Sequence, residues 1–487
     1  MTVSRRSLLV ASSTLLPGLF VSYNSSAQEK TQPPSNWDKT YEVIVIGAGG
    51  AGLTAAVVAK ENGAEPVVLE KMMFPGGNTN ISGGGFNAAV TEDSKVAKVE
   101  DSPKLHAEQT LAAGDHRADP ELVRTLTEGA PVSVQWLKDH GLRFQKGIYQ
   151  IYGGLWPRCR NPDGEKGYGY IKVLLAQCKK QNIPVLTGHK VVRVIREQSN
   201  NGRVLGVVVK IKGKQENWRA TKGVVAAAGG FAANAQMCSL YDPRLTKLNT
   251  SNQPGASGEV MVAMQNIGAL TTGLDYIQCI PGAAPGLKKS LNLHQCPEYT
   301  IFTNKLGKRF ISEDSRRDVI CNALLLQPDQ VGFEISGQAG LEANNKFQKS
   351  RNDACLKEGL MVKGKTIEEL ANKLGLDANN LRATIEAFNQ ACDSKRDVLG
   401  RASHMLGHKI EAPYYGGPFG MVRHHTMGGV RITPNAEVLD RDCKVIPGLY
   451  AAGEVTGGIH GSNRVGGNAI ADVFTFGRIA GEQVAEN

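Results

Sequence analysis

At 487 residues and 41% hydrophobic content, the chain can bury a large core and fill two or three domains, which excludes disorder of the whole. Lysine and arginine exceed aspartate and glutamate by ten, a field that favours anionic partners; no basic cluster interleaved with aromatics points to nucleic acid. Nine cysteines without a Cys-x-x-Cys pair give no signature of a zinc site, an iron–sulfur cluster or c-type haem attachment, so no metal is expected.

The chain starts with Ser4-Arg5-Arg6-Ser7-Leu8-Leu9, continues in an apolar stretch to about Val21 broken by Pro17, and reaches the small-x-small pattern Ser25-Ser26-Ala27. Residues 1–27 therefore read as a signal peptide. Its apolar stretch is shorter than the roughly 20 residues that span a bilayer, so no integral membrane segment is expected in the mature chain. The adjacent arginines favour the twin-arginine route and a periplasmic destination, with a plain secretory signal as the alternative.

Residues 28–39 form a polar linker, after which the apolar run Tyr41–Ile46 reads as a buried strand stopping at Gly47. Helical spacing from Gly50 to Asn62 and a second buried run, Pro66–Leu69, closed by Glu70, complete a βαβ unit. Within it, Gly47-Ala48-Gly49-Gly50-Ala51-Gly52 matches G-x-G-x-x-G between strand and helix, with Glu70 at the end of the next strand. Such glycines let backbone N–H groups approach a pyrophosphate, and the acid can accept from ribose hydroxyls. Gly76-Gly77-Asn78-Thr79, Gly83-Gly84-Gly85, the strand end Ala227-Ala228-Gly229-Gly230 and Ala452-Gly453-Glu454 point to FAD rather than NAD. A protein that folds around FAD must acquire it where FAD exists, which again favours export of a folded chain.

Farther along, His189–Glu197 and Arg203–Lys212 flank a hairpin turn at Asn201-Gly202, and Gly223–Ala228 is another buried strand. From about Thr272 to Gly400 few buried strands are expected. That segment holds a helical pair, with a capping box at Thr366–Glu369 and Asp377 capping Leu381–Cys392. Glycine-rich sequence resumes near His424. The expected fold is α/β: a Rossmann-type FAD-binding domain from residues 40–271 and 401–487, with an inserted α+β capping domain at 272–400.

Two stretches are more specific still: His424-His425-Thr426-Met427-Gly428-Gly429 and Gly453 through Ile470. With them the chain resembles the soluble fumarate reductases of the flavocytochrome c type, in the succinate dehydrogenase/fumarate reductase flavoprotein superfamily, over nearly all of residues 41–487. The resemblance implies that Ala51, Glu70, Asn78, Thr79, Gly83, Gly84, Glu259, His425, Glu454, Ala469 and Ile470 contact FAD. His424 and Arg464, with Gly467, would hold a substrate carboxylate, and the helix start at Gly467–Ile470 can offer N–H groups to a reduced flavin's anionic ring. The segment Gly307–Asp318 resembles the one whose last arginine donates the proton, which maps that role onto Arg317. Covalently flavinylated relatives carry a histidine where this chain has Asn78, so FAD is expected to be non-covalent.

The pattern breaks at the second carboxylate site. Thirty-seven residues before Arg317 stands Ile280 in place of a histidine, the next ligand position is Asn292 in place of a threonine, and the relay glutamate and arginine fall on Leu293 and Cys296. Either the alignment slips within Cys279–Thr300, where His294, Glu298 or Tyr299 substitutes, or the pocket takes a monocarboxylate. The second reading is preferred, because Ile280 can pack against an alkyl chain or ring. The expected activity is reduction of the double bond of a small unsaturated carboxylate, with fumarate reduction and a non-catalytic flavin electron-transfer subunit as alternatives. Lacking haem motifs, the chain would receive electrons from a separate protein of the c-type cytochrome kind.

Overall fold

The computed structural model describes residues 33–487; the expected signal peptide and the first part of the linker lie outside the described residues. The first unit forms as expected: strand Lys39–Ile46, helix Gly50–Glu61 and strand Pro66–Glu70, with every residue of the last buried. The strand at Lys39–Ile46 pairs in parallel with Pro66–Glu70 on one side and Lys214–Ala226 on the other, placing Ile44 between Val67 and Val224. Val445–Ala451 then adds in parallel to Lys214–Ala226, with Leu449 opposite Val224. The FAD-binding layer is therefore built from both ends of the chain. Strands buried on both faces explain the unbroken apolar runs.

Two glycine-bearing helices cross behind this sheet. Helix Asn468–Glu486 packs on Gly50–Glu61, burying apolar residues of both. The hairpin expected around Asn201-Gly202 is formed by His189–Gln198 and Asn201–Ile211.

The cap is richer in strands than its sequence suggested. Ile277–Gly282, Gly332–Gly337 and Val362–Gly364 all pair with one long strand, Tyr414–Thr426, and Thr300–Thr303 pairs with Gly332–Gly337. Asn249–Thr250 joins the same strand in parallel. A boundary at residue 400 therefore cuts the cap sheet away from its longest strand, and residue 272 leaves out Asn249–Thr250. Asp377 caps helix Ala378–Ser394 through Asn380 N–H at 2.8 Å, as expected. At Thr366 only half the capping box forms: its hydroxyl accepts from Glu369 N–H, while the Glu369 carboxylate accepts from Lys365 N–H instead.

Candidate active site

The turn after Lys39–Ile46 shows why the glycine motif is needed. A Cβ on Gly52 would lie 1.9 Å from the Gly47 carbonyl oxygen, so helix and loop approach closely only without one. Gly52 itself is a packing residue and does not line the cavity beside it. Glu70 closes the cradle, accepting from Ala48 N–H at 3.0 Å and Met72 N–H at 2.8 Å.

From this cradle one continuous cavity runs to the cap. Gly47, Gly49, Ala51, Glu70, Thr79, Gly83 and Gly84 line its first part. Glu259, held by Lys71 at 2.9 Å and Lys190 at 2.6 Å, borders it as well. Asn78, Glu454, Ala469, Ile470 and Gly467 line the middle, where helix Asn468–Glu486 begins. Asn78 accepts from Gln253 N–H at 3.0 Å and donates to Asn252, so its amide is fixed in the wall. Glu454 accepts from Thr426 N–H at 3.0 Å, and burial raises its pKa.

Arg317, His424, His425 and Arg464 gather at the far end. Successive residues of a strand point to opposite faces, yet both histidines face the cavity. The cause is a β-bulge: Gln278 pairs with His425 and Cys279 with Arg423, leaving His424 as the extra residue. Ser251 Oγ lies 2.7 Å from His424 Nδ1. Burial, then Arg464 and Arg317, push the pKa of His424 well down, so its ring is neutral. The same hydroxyl also reaches the Arg423 carbonyl at 3.4 Å, so it can donate to Nδ1 or accept from it, and either tautomer of the neutral ring is satisfied.

Arg464 is held by its own neighbourhood: Nη2 donates to Gln278 Oε1 at 2.8 Å and Nη1 to the Val465 carbonyl at 3.0 Å. Burial first, and then Arg317, bring its pKa down to about 9. Arg317 starts helix Arg317–Leu325, donates to the Tyr152 carbonyl, and is likewise lowered by burial. Gly153, at φ +73°, lies against the guanidinium; a Cβ there would be 2.5 Å from Arg317 Cζ. Its neighbour Arg316 is instead paired outward with Asp115 at 2.7 Å and Asp318 at 2.6 Å. The charge cluster in the sequence thus separates into one satisfied and one unsatisfied arginine.

Ile280 and Asn292 are not among the residues lining the cavity. Ile280 lies opposite Val422, two residues after Gln278, and the Asn292 backbone N–H donates to Asn352 Oδ1 at 2.9 Å. Leu293 is buried among Leu291, Met361 and Tyr415, while Tyr299 stacks on His408. Gln278, Ser251, Tyr152 and Gly153 had no signal in the sequence; each becomes visible only through the partner it meets in space.

The cradle and its continuous cavity fit FAD, and the buried Nε of Arg317, Nε of Arg464 and Nε2 of His425 lack partners, as expected of groups that face a ligand. Fold and site together define a flavoprotein. The chain belongs to the family described as "FAD binding domain", whose model matches residues 42–470, among its flavocytochrome c-type fumarate reductases and related reductases.

The chain is 33% identical over 487 residues to the "Acrylate reductase flavoprotein subunit" of Shewanella woodyi, covering 95% of this chain and 94% of that one. It is 36% identical over 456 residues to the "NADH:fumarate oxidoreductase" of Klebsiella pneumoniae, covering 92% of this chain but only 48% of that longer relative. Among solved structures, the open conformation of a flavocytochrome c3 fumarate reductase matches with a TM-score of 0.79 at 34% identity, over 93% of this chain and 79% of that one. No helix among the described residues is long and apolar enough to cross a membrane.

Proposed function

We propose that this protein is a periplasmic, FAD-dependent reductase of the carbon–carbon double bond of a small α,β-unsaturated carboxylate, with an acrylate-type monocarboxylate preferred over fumarate. One observation carries the reading: Arg317 and Arg464 are turned into the same cavity beside neutral His424, and neither makes an ion pair among the described residues. Buried charge is tolerated when it is paired, so a site with unmet guanidinium charge calls for an anion.

Arg464 offers a planar guanidinium to one carboxylate, and His424 adds a donor from Nε2 in the tautomer that carries its proton there. FAD, when bound, supplies the hydride that reaches one alkene carbon. Arg317 delivers the proton to the other carbon and stabilises the negative charge that develops there. Its lowered pKa makes it a stronger donor than a solvated arginine. Asn78, whose amide offers no nucleophile and is hydrogen-bonded on both sides, supports non-covalent FAD. Arg5 and Arg6 support export, and an acidic c-type cytochrome fits the chain's positive charge as electron donor.

The preference for a monocarboxylate rests on the replacement of the family's histidine and threonine by Ile280 and Asn292, neither of which reaches the cavity, so neither position of the second-carboxylate pattern supplies a partner for a second anion. Fumarate is the second reading, favoured by the similarity to the NADH:fumarate oxidoreductase of Klebsiella pneumoniae and to the flavocytochrome c3 fumarate reductase. Reduced protein mixed with acrylate, cinnamate, urocanate and fumarate decides: faster reoxidation by a monocarboxylate is expected, and preference for fumarate over all of them would reverse the order.

A further inference from the structure

The two arginines of the cavity are carried by different parts of the molecule: Arg317 begins a helix of the cap, and Arg464 lies on a loop of the FAD-binding domain. On the function proposed above, a proton from the first must reach a carbon of a substrate gripped by the second, so their separation has to be held. One carboxylate, Asp115, touches the chain neighbours of both.

Asp115 sits in the turn after helix Pro103–Ala113, where it and His116 follow one another at φ +55° and +52°. Two consecutive left-handed residues other than glycine persist only where surrounding contacts impose them. The loop carrying Arg464 supplies such contacts: Ser462 N–H donates to the Gly114 carbonyl at 3.1 Å, and Asn463 Nδ2 to the Ala113 carbonyl at 3.3 Å. A Cβ on Gly461 would lie 2.3 Å from the Gly114 oxygen, so turn and loop meet backbone to backbone. From this turn the Asp115 carboxylate accepts from Ser462 Oγ. On the loop's other side, Gln278 Nε2 donates to Asn463 Oδ1 at 3.0 Å and to the Arg464 carbonyl at 2.9 Å.

The same carboxylate faces the cap. Arg316 donates to it from Nη1 at 2.7 Å and from Nη2 at 3.0 Å, a two-pronged geometry that fixes direction as well as distance. Asp318 accepts from Arg316 Nε at 3.0 Å and Nη2 at 2.6 Å, so the fork is aimed from its own helix before Asp115 meets it. Hydrogen bonds from Arg316 and then Ser462 hold the Asp115 pKa down at about 2, so the carboxylate stays charged well into acid. We propose that Asp115 and Arg316 are positioning residues of the reduction: their pairing between cap and FAD-binding domain sets the register of Arg317 against Arg464. Neither lines the cavity, so both act through their neighbours. Both are exposed, and exposed ion pairs add little to stability, so the pair's effect lies in the geometry of the site.

The test uses the FAD-loaded protein and its Asp115→Gly, Arg316→Gln and doubly substituted variants. Each is reduced with dithionite and mixed with the unsaturated acid that best reoxidises the wild type, and the flavin absorbance is followed. The Kd for the saturated product and the thermal midpoint are measured alongside. Glycine accepts φ +55°, so Asp115→Gly removes the carboxylate and still allows the turn. Each single variant should lower the reoxidation rate at saturating acid about tenfold, because the proton donor is displaced. Product Kd should stay within about threefold, since Gln278 still holds Arg464, and the thermal midpoint should barely move. The double variant should be no slower than the slower single one, because both remove the same contact. Arg316→Lys, which keeps the charge but not the fork, should recover part of the rate. Wild-type rates in both Asp115→Gly and Arg316→Gln, or losses that multiply in the double variant, would overturn the positioning role while leaving the function standing. A product Kd raised as much as the rate is lowered would overturn it too, placing the pair in binding alone. A wild-type protein reoxidised by none of the acids would overturn the proposed function, and the positioning role with it.

Discussion

Arginine is buried in this molecule under two opposite conditions. In the cap, Arg309 reaches Glu313 and Asp397, both at 2.7 Å, and Arg401 reaches Glu313 and the carbonyls of Pro297 and Thr300. At the cavity, Arg317 and Arg464 meet only carbonyls, an amide and an aromatic ring. Both sets are removed from water, but only the first is neutralised by the protein. The pKa directions record the difference: burial opposes charge at Arg309, yet Glu313 and Asp397 raise its pKa, whereas burial lowers those of Arg317 and Arg464. The carboxylates of the cap hold a fold together. The missing ones at the cavity leave room for a substrate to supply its own.

The sharpest way to break this contrast is to remove one arginine of the second kind. Arg317→Ala should lower turnover by more than about 10³-fold while the flavin absorbance of the folded protein is retained, because proton and charge stabilisation are lost together. Stopped-flow reoxidation by an unsaturated acid reads this. The mirror experiment, Glu313→Ala, strands Arg309 and Arg401 without their shared carboxylate and should cost about 3–5 kcal/mol of stability in denaturant titrations. Arg464→Ala should weaken binding of a saturated carboxylate by about 2–5 kcal/mol, with much less effect on the unfolding midpoint.

The pH dependence of binding sharpens the same point. An anion binds the charged form of Arg464, whose pKa in the free protein is about 9. Affinity should therefore be flat below that pH and fall about tenfold per unit above it, as protonation must accompany binding. Flavin absorbance titrations at several pH values measure this, and an anion affinity shared by wild type and Arg464→Ala at every pH would remove Arg464 from the carboxylate site. The smallest effect is expected from Gly153→Ala, where φ +73° and the Arg317 contact both resist a Cβ. A loss of about 1 kcal/mol in stability, with turnover reduced about tenfold by the displaced guanidinium, would fit that geometry.

Sequence alone determined the dinucleotide cradle, because its requirements are local: a strand, a glycine turn, a helix and an acid fall within Tyr41–Glu70 and need no distant partner to be read. It also brought Arg317, His424 and Arg464 into view, through motifs tied to a familiar family pattern. Tertiary structure decided what surrounds them. The bulge that turns His424 and His425 to one side depends on pairing with Gln278 and Cys279, some 145 residues earlier in the chain. The cap sheet depends on Tyr414–Thr426, which lies past the segment that reads as the cap. Arg316 and Arg317 are adjacent in sequence and indistinguishable by residue type; Asp115 reaches only the first, and Tyr152 only the second. A charge is defined electrostatically by what shares its low-dielectric surroundings, and that depends on how distant segments pack.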